Sequence, residues 1–237
     1  MNKIYAFDID GTLTPSRLKI DQDFEEFFYE WMQDKKIVFI TGSDAPKTIE
    51  QIGMRIWNSA DVCMQSCGNQ IFEKGKETYK IDWEPSRELV SFLEELLQET
   101  DYNVKTSNHI EHRTGLLNFS IVGRDCTQEQ RDAYYKWDTT IGERLEFAEK
   151  IMDEFPDIEA SVGGQISIDI HPKGANKGQA KEWLLNKYGK DIEINFFGDK
   201  MEKGGNDYDL AVLLEDGHNL YPVLGWKDTS LILKIID

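Results

Sequence analysis

Three short apolar runs in this 237-residue chain each stop at small polar or acidic residues: "KIYAFDID" at 3–10, "KIVFITGS" at 36–43 and "IEINFFGD" at 192–199. A run that is apolar at nearly every position suits a strand buried on both faces, as in a parallel sheet covered by helices. Stretches with helical spacing lie between them. "DQDFEEFFYEWMQDKK" places Phe24, Phe27, Phe28 and Trp31 on one helical face, "DAPKTIEQIG" opens a second helix, and a further strand falls near "DVCMQSCG". "NKGQAKEWLLNKYG" and "NDYDLAVLLEDG" continue the alternation around the last run. This rhythm predicts βαβ units and an α/β fold with a Rossmann-like parallel-sheet core.

The middle of the chain reads differently. "EPSRELVSFLEELLQET" is a strongly amphipathic helix, and "GLLNFSIVG" and "GQISIDIHP" alternate apolar and polar residues. Helical stretches at "TQEQRDAYYKWD" and around 141–154 lie between those two strands. Alternation marks strands with one polar face, so this part is expected to be an antiparallel α+β module. The expected organisation is a core domain from residues 1–83 and 174–237, with a cap domain of residues 84–173 inserted into it.

Composition narrows the partners. A formal charge of −17 argues against nucleic acid and anionic membranes. No apolar run approaches the length of a membrane span and the N-terminus lacks a secretory pattern, so a cytoplasmic protein is expected. The three cysteines are expected to be reduced, and Cys63-x-x-x-Cys67 without a nearby histidine is a poor zinc spacing. Seven arginines stand against twenty lysines, and Arg113, Arg124, Arg131 and Arg144 fall close together. Such a cluster is either a solvated basic face or an anion site, because arginine grips phosphate and carboxylate bidentately.

The run ends carry the chemistry. Asp8 and Asp10, two positions apart and followed by Gly11, repel one another unless a cation neutralises them. The alternative is a plain acidic turn. In open α/β sheets ligands bind beyond the carboxyl ends of the strands, so Asp8, Asp10, Thr41, Ser43 and Asp199 are expected to converge, with Lys177 reaching the same edge. Aspartates holding Mg²⁺, one of them attacking phosphorus, with a hydroxyl and a lysine to offset charge, make a coherent phosphoryl-transfer site.

D-x-D-G-T, T-G-S, a helix-opening lysine and F-F-G-D…N-D in this order resemble the haloacid dehalogenase superfamily. The stretches "FDIDGTLTPSR", "RTGLLNFSIVGRDCTQEQR", "GGQISIDIHPKGANK" and "FFGDKMEKGGND" further resemble the eukaryotic-type phosphomannomutases over nearly the whole chain. The resemblance implies Asp8 as nucleophile and Asp10 as general acid/base. It implies a Mg²⁺ site of Asp8, Asp10 (through its backbone carbonyl) and Asp199, in a loop shaped by Asn206 and Asp207. Lys177 would contact the transferring phosphate together with either Thr41 or Ser43. Arg17 would bind substrate, Arg113, Arg124 and Arg131 the sugar's distal phosphate, and Ser167 and Asp169 the sugar. Arg144 has no counterpart and is expected to be a surface charge. Met201 and Lys203 depart from the family's threonine and proline, and "SCG" at 66–68 from its E-N-G. The implied activity interconverts mannose 6-phosphate and mannose 1-phosphate for GDP-mannose synthesis, with glucose 1,6-bisphosphate or mannose 1,6-bisphosphate as activator. A homodimer joined through the caps is implied as well. The enzymatic alternative is a Mg²⁺-dependent sugar-phosphate phosphatase; a non-catalytic sugar-phosphate binder is disfavoured because no catalytic position is lost.

Overall fold

The computed structural model describes residues 3–236. In chain order the elements are β1 (Lys3–Phe7), α1 (Gln22–Trp31), β2 (Lys36–Ile40), α2 (Ala45–Ser59), β3 (Val62–Gln65), β4 (Gln70–Glu73) and β5 (Lys76–Lys80). There follow α3 (Arg87–Glu99), β6 (Ile110–Arg113), β7 (Leu116–Ser120), α4 (Gln128–Ile141), α5 (Glu143–Glu154), β8 (Ile158–Gly163) and β9 (Ser167–Pro172). The chain closes with α6 (Gln179–Tyr188), β10 (Glu193–Gly198), α7 (Tyr208–Leu214), β11 (Asn219–Pro222) and α8 (Trp226–Leu233). Two compact units result, one running through Lys80 and resuming at Asn176, the other spanning Ile81–Ala175.

The first unit is built on a seven-stranded sheet of order β11-β10-β1-β2-β3-β4-β5. The five strands from β11 to β3 are parallel, and β4 and β5 add an antiparallel hairpin at one edge. Strand β1 sits between β10 and β2, and its side chains alternate between two cores. Tyr5 and Phe7 pack with Phe24 and Phe28 of α1, while Ile4 and Ala6 pack with Val38, Ala180, Leu184 and Leu210. Both faces are covered, which is why the strand reads as an unbroken apolar run. Asp21 and Asp44 cap α1 and α2 by accepting backbone N–H groups. Helix α2 is interrupted at Gly53, whose φ of 76° lies in the left-handed region.

The second unit holds an antiparallel sheet of order β6-β7-β9-β8. Leu117, Phe119, Ile168 and Ile170 point to one side and pack with Leu89, Leu93, Tyr134, Phe147 and Ile151 of the three helices. The alternate positions, Asn118 and Ser120 on β7 and Ser167 and Asp169 on β9, form a polar face in register: Asn118 lies opposite Asp169 and Ser120 opposite Ser167. The sequence alternation in these two strands is therefore the alternation of faces.

Candidate active site

Asp8 directly follows β1 and extends its ladder, its N–H donating to the Phe197 carbonyl at 2.9 Å. Its Oδ1 lies 2.6 Å from Lys177 Nζ, and the same ammonium reaches Asp207 Oδ1 at 2.7 Å. Lys177 is fully buried and Asp8 nearly so. Asp199 follows the end of β10, and oxygens of Asp8, Asp199 and Asp207 lie within 4.8 Å of one another. Two glycines make room for this crowding. A Cβ on Gly11 would stand 2.4 Å from Asp199 Oδ2, and one on Gly198 would stand 2.6 Å from Asp207 Oδ2. Gly11 also has φ +84°, so the glycine behind the opening aspartates answers both a conformational and a steric demand.

The charges are out of balance. Burial, with Asp207 and Asp199 adding to it against Lys177, lifts the Asp8 carboxyl well above the usual carboxylate range. Burial and Asp207 push Asp199 up to about 7. Burial disfavours the charged form of Lys177, but Asp207 and Asp8 outweigh it and keep its ammonium protonated beyond the usual range. Lys177 contacts two of the three carboxylates and Lys200 acts on Asp199, which leaves negative charge in excess, and among the described residues Asp8 Oδ2 is buried without a hydrogen-bond partner. Hard oxygen donors in excess negative charge with an orphaned carboxylate oxygen fit a divalent cation such as Mg²⁺.

The Asp10 side chain stands apart from that cluster. Its Oδ1 accepts from the Arg17 backbone N–H at 2.6 Å and from Gln51 Nε2 at 2.8 Å, and Ser43 Oγ donates to its Oδ2 at 3.4 Å. Arg17 is half-buried and adopts φ 62°, a left-handed conformation uncommon outside glycine, in the turn that delivers its N–H to Asp10. Thr41 is buried, and its Oγ1 accepts from the Ser43 N–H at 3.1 Å. The two hydroxyls at the end of β2 thus differ: Ser43 lies on Asp10, whereas Thr41 braces the Ser43 backbone. Asn206 is half-buried in the turn before Asp207. Gln51 was not foreseen from sequence. A buried glutamine beside Thr48 and Ile52 on the covered face of α2 was the available signal.

The second unit gathers a different group. Arg124 Nη1 donates to Ser167 Oγ at 3.0 Å, and Asn118 Nδ2 donates to Asp169 Oδ1 at 2.6 Å. Arg113 and Arg124 both pair with Glu111, at 3.1 and 2.8 Å. Arg131 is buried in the first turn of α4, behind a capping box made by Thr127 and Gln130. Arg144 corrects the expectation of a surface charge. It is 2 % exposed, its Nε lies 2.8 Å from Asp138 Oδ2, and its Nη1 donates to the carbonyls of Gly164 at 3.0 Å and Ser167 at 3.2 Å. Gly142, in the left-handed conformation between α4 and α5, turns the chain so that Asp138 and Arg144 meet.

By fold, with a parallel sheet, acidic groups beyond its carboxyl edge and an inserted α+β unit, the chain is haloacid dehalogenase-like. The fold is similar to that of a haloacid dehalogenase-like hydrolase from Bacteroides thetaiotaomicron, with a TM-score of 0.63 over all of both chains at 13 % identity. Residues 24–236 match the family model described as eukaryotic phosphomannomutase. The chain is 36 % identical to the phosphomannomutase of Drosophila melanogaster, over 98 % of this chain and 94 % of the fly protein. It is 35 % identical to that of Saccharomyces cerevisiae, over 88 % of this chain and 85 % of the yeast protein. The chain belongs to the eukaryotic phosphomannomutase family.

Proposed function

We propose that this enzyme interconverts mannose 6-phosphate and mannose 1-phosphate by way of a phosphorylated Asp8. The observation that carries the reading is the Asp8–Lys177–Asp207 contact set with Asp199 beside it. A carboxylate stripped of water and held by a buried ammonium is aimed and available for attack on phosphorus. Asp8, the Asp10 backbone carbonyl and Asp199 would hold Mg²⁺, with Asn206 and Asp207 shaping its loop, and the ion would offset the charge of the phosphate oxygens. Lys177 would hold the transferring phosphoryl group, with Ser43 or Thr41 contributing a hydroxyl.

Asp10 moves the protons. The phospho-Asp8 enzyme transfers its phosphoryl group to a hydroxyl of the hexose monophosphate, and Asp10 accepts that hydroxyl's proton. The sugar, now a 1,6-bisphosphate, turns over and presents its other phosphate. Asp8 attacks this phosphorus, the P–O bond to the sugar breaks, and Asp10 returns the proton to the leaving oxygen. A reaction of this kind needs a grip on two phosphates at once. Arg113, Arg124 and Arg131 of the inserted unit, read as the cap, would hold the distal one, with Ser167 and Asp169 on sugar hydroxyls and Arg17 also on the substrate. Glucose 1,6-bisphosphate or mannose 1,6-bisphosphate would prime Asp8. The proposed setting is the cytoplasm, as a homodimer joined through the cap and feeding GDP-mannose synthesis. Among the described residues no helix is long and apolar enough to cross a membrane.

The test is a phosphorus NMR time course with mannose 1-phosphate, Mg²⁺ and a trace of glucose 1,6-bisphosphate. Mannose 6-phosphate is expected without matching inorganic phosphate. Inorganic phosphate as the main product would replace this reading with a phosphatase.

A further inference from the structure

Glu111 has no part in the roles assigned so far. It occupies β6 opposite Asn118, on the polar face of the antiparallel sheet. Its Oε2 accepts from Arg124 Nε at 2.8 Å and from Arg113 Nη2 at 3.1 Å, and its Oε1 accepts from Arg113 Nε at 3.3 Å. Arg113 lies two residues further along the same strand, whereas Arg124 comes from the chain beyond β7. One carboxylate therefore gathers guanidinium groups from two segments. Both arginine side chains are 9 % exposed, and Glu111 is 31 % exposed.

Two effects of this carboxylate on phosphate binding have opposite signs. As a charge it works against binding, since it cancels one unit of the positive field that attracts the anion. As a brace it works in favour. Two cations brought together repel, and each long side chain loses much rotamer freedom when it is fixed on a ligand. A carboxylate that already holds both forks lowers the ordering cost left for the ligand. Arg113 meets Glu111 through both Nε and Nη2 and Arg124 meets it through Nε, while Arg124 Nη1 is aligned on Ser167 Oγ, so both guanidinium planes are fixed in direction as well as position.

We propose that Glu111 is a positioning residue for the Arg113–Arg124 pair, bracing the two guanidinium groups in the arrangement that takes the distal phosphate of the sugar. The inference rests on the reading above that these arginines hold that phosphate. On this proposal the bracing effect outweighs the loss of charge, which fixes the sign of the expected result.

The experiment is steady-state kinetics of Glu111→Ala and Glu111→Gln in the full chain, with mannose 1-phosphate varied and Mg²⁺ and glucose 1,6-bisphosphate held at saturation. KM should rise about tenfold in Glu111→Ala. It should rise less in Glu111→Gln, whose amide oxygen still accepts from one guanidinium. In both, kcat should change by less than about threefold, a split that general loosening of the fold would not produce. A KM equal to or below that of the unsubstituted enzyme overturns the proposal, because it would mean that charge and not bracing is what Glu111 supplies. Should Glu111→Ala fail to fold, the isosteric Glu111→Gln decides alone by the same sign. Arg124→Ala in the same assay separates the two levels of the argument. An unchanged KM there would sink the reading of the arginines themselves. A raised KM there beside unchanged values in the Glu111 variants would sink the brace alone.

Discussion

A methyl group on Gly11 would meet Asp199 Oδ2 at 2.4 Å, on a backbone with φ +84° that side chains rarely adopt. Asp199 would have to yield, and with it the arrangement of the three carboxylates. Gly11→Ala is expected to lower mutase turnover by about 100-fold, the usual consequence of displacing a reacting constellation by roughly an ångström. Turnover within about threefold of normal would show that the loop absorbs the methyl group. Asp199 also predicts a pH effect. Its folded pKa of about 7 lies above the ordinary 3.8, so the protonated carboxyl stabilises the metal-free fold at acid pH. That contribution is lost as pH rises through about 7. A dication competes with the proton for the same oxygens. Mg²⁺ should therefore raise the unfolding temperature more at about pH 8 than at about pH 6, as read by calorimetry with and without chelator. Equal shifts at both values would mean that the cation does not bind through Asp199.

Between elements, the α4–α5 turn and the β8–β9 hairpin are joined by Arg144. Its ion pair with Asp138 and its hydrogen bonds to the carbonyls of Gly164 and Ser167 are buried, and Ser167 is the residue whose hydroxyl accepts from Arg124. Arg144→Met removes one partner and leaves Asp138 charged and buried, which should cost about 3–5 kcal/mol in a urea unfolding series. A loss under about 1 kcal/mol, the value of an exposed pair, would contradict this account. The expectation of a surface Arg144 rests on its having no counterpart in the family, and nothing local in the sequence opposes it, since its partners are scattered: six residues back in a different helix, and twenty or more residues ahead on backbone atoms. The elements themselves were legible to different degrees for a similar reason. Strands β1, β2 and β10 are buried on both faces, and burial of that kind writes an unbroken apolar run. Strand β5, "KETYK", is exposed at every position, so no periodic signal distinguishes it from a loop; its hairpin with β4 was not foreseen. The short β11 and the edge strand β6 carry too few covered positions to stand out.

Across the whole chain, Asp8 and Lys177 are 169 positions apart and meet at 2.6 Å, with a unit of almost a hundred residues inserted between the segments that carry them. Parallel strands send their carboxyl ends to one edge of a sheet, which places Asp8 there; Lys177 follows no strand of that sheet and is expected at the same edge as the lysine that opens a helix, and from the resemblance. Contacts that no such rule governs, Gln51 on Asp10 and Glu111 on two arginines, left no mark in the sequence beyond a polar residue at a covered or strand position. The distribution of chemistry between the two units yields a prediction that neither unit makes alone. Asp8→Asn removes the group proposed to take the phosphoryl and should abolish both mutase activity and hydrolysis of a small aryl phosphate. Arg124→Ala leaves Asp8, Lys177 and Asp199 in place and removes a cation proposed for the second phosphate. An aryl phosphate has no second phosphate. Mutase turnover should thus fall by on the order of 100-fold in Arg124→Ala, the scale of a charge-assisted contact, while aryl phosphate hydrolysis falls far less. Parallel assays of the two reactions on the same preparation decide it. An equal loss of both activities in Arg124→Ala would mean that the arginine acts on the core chemistry itself, and the division of labour between one phosphate at Asp8 and another at the inserted unit would fall with it.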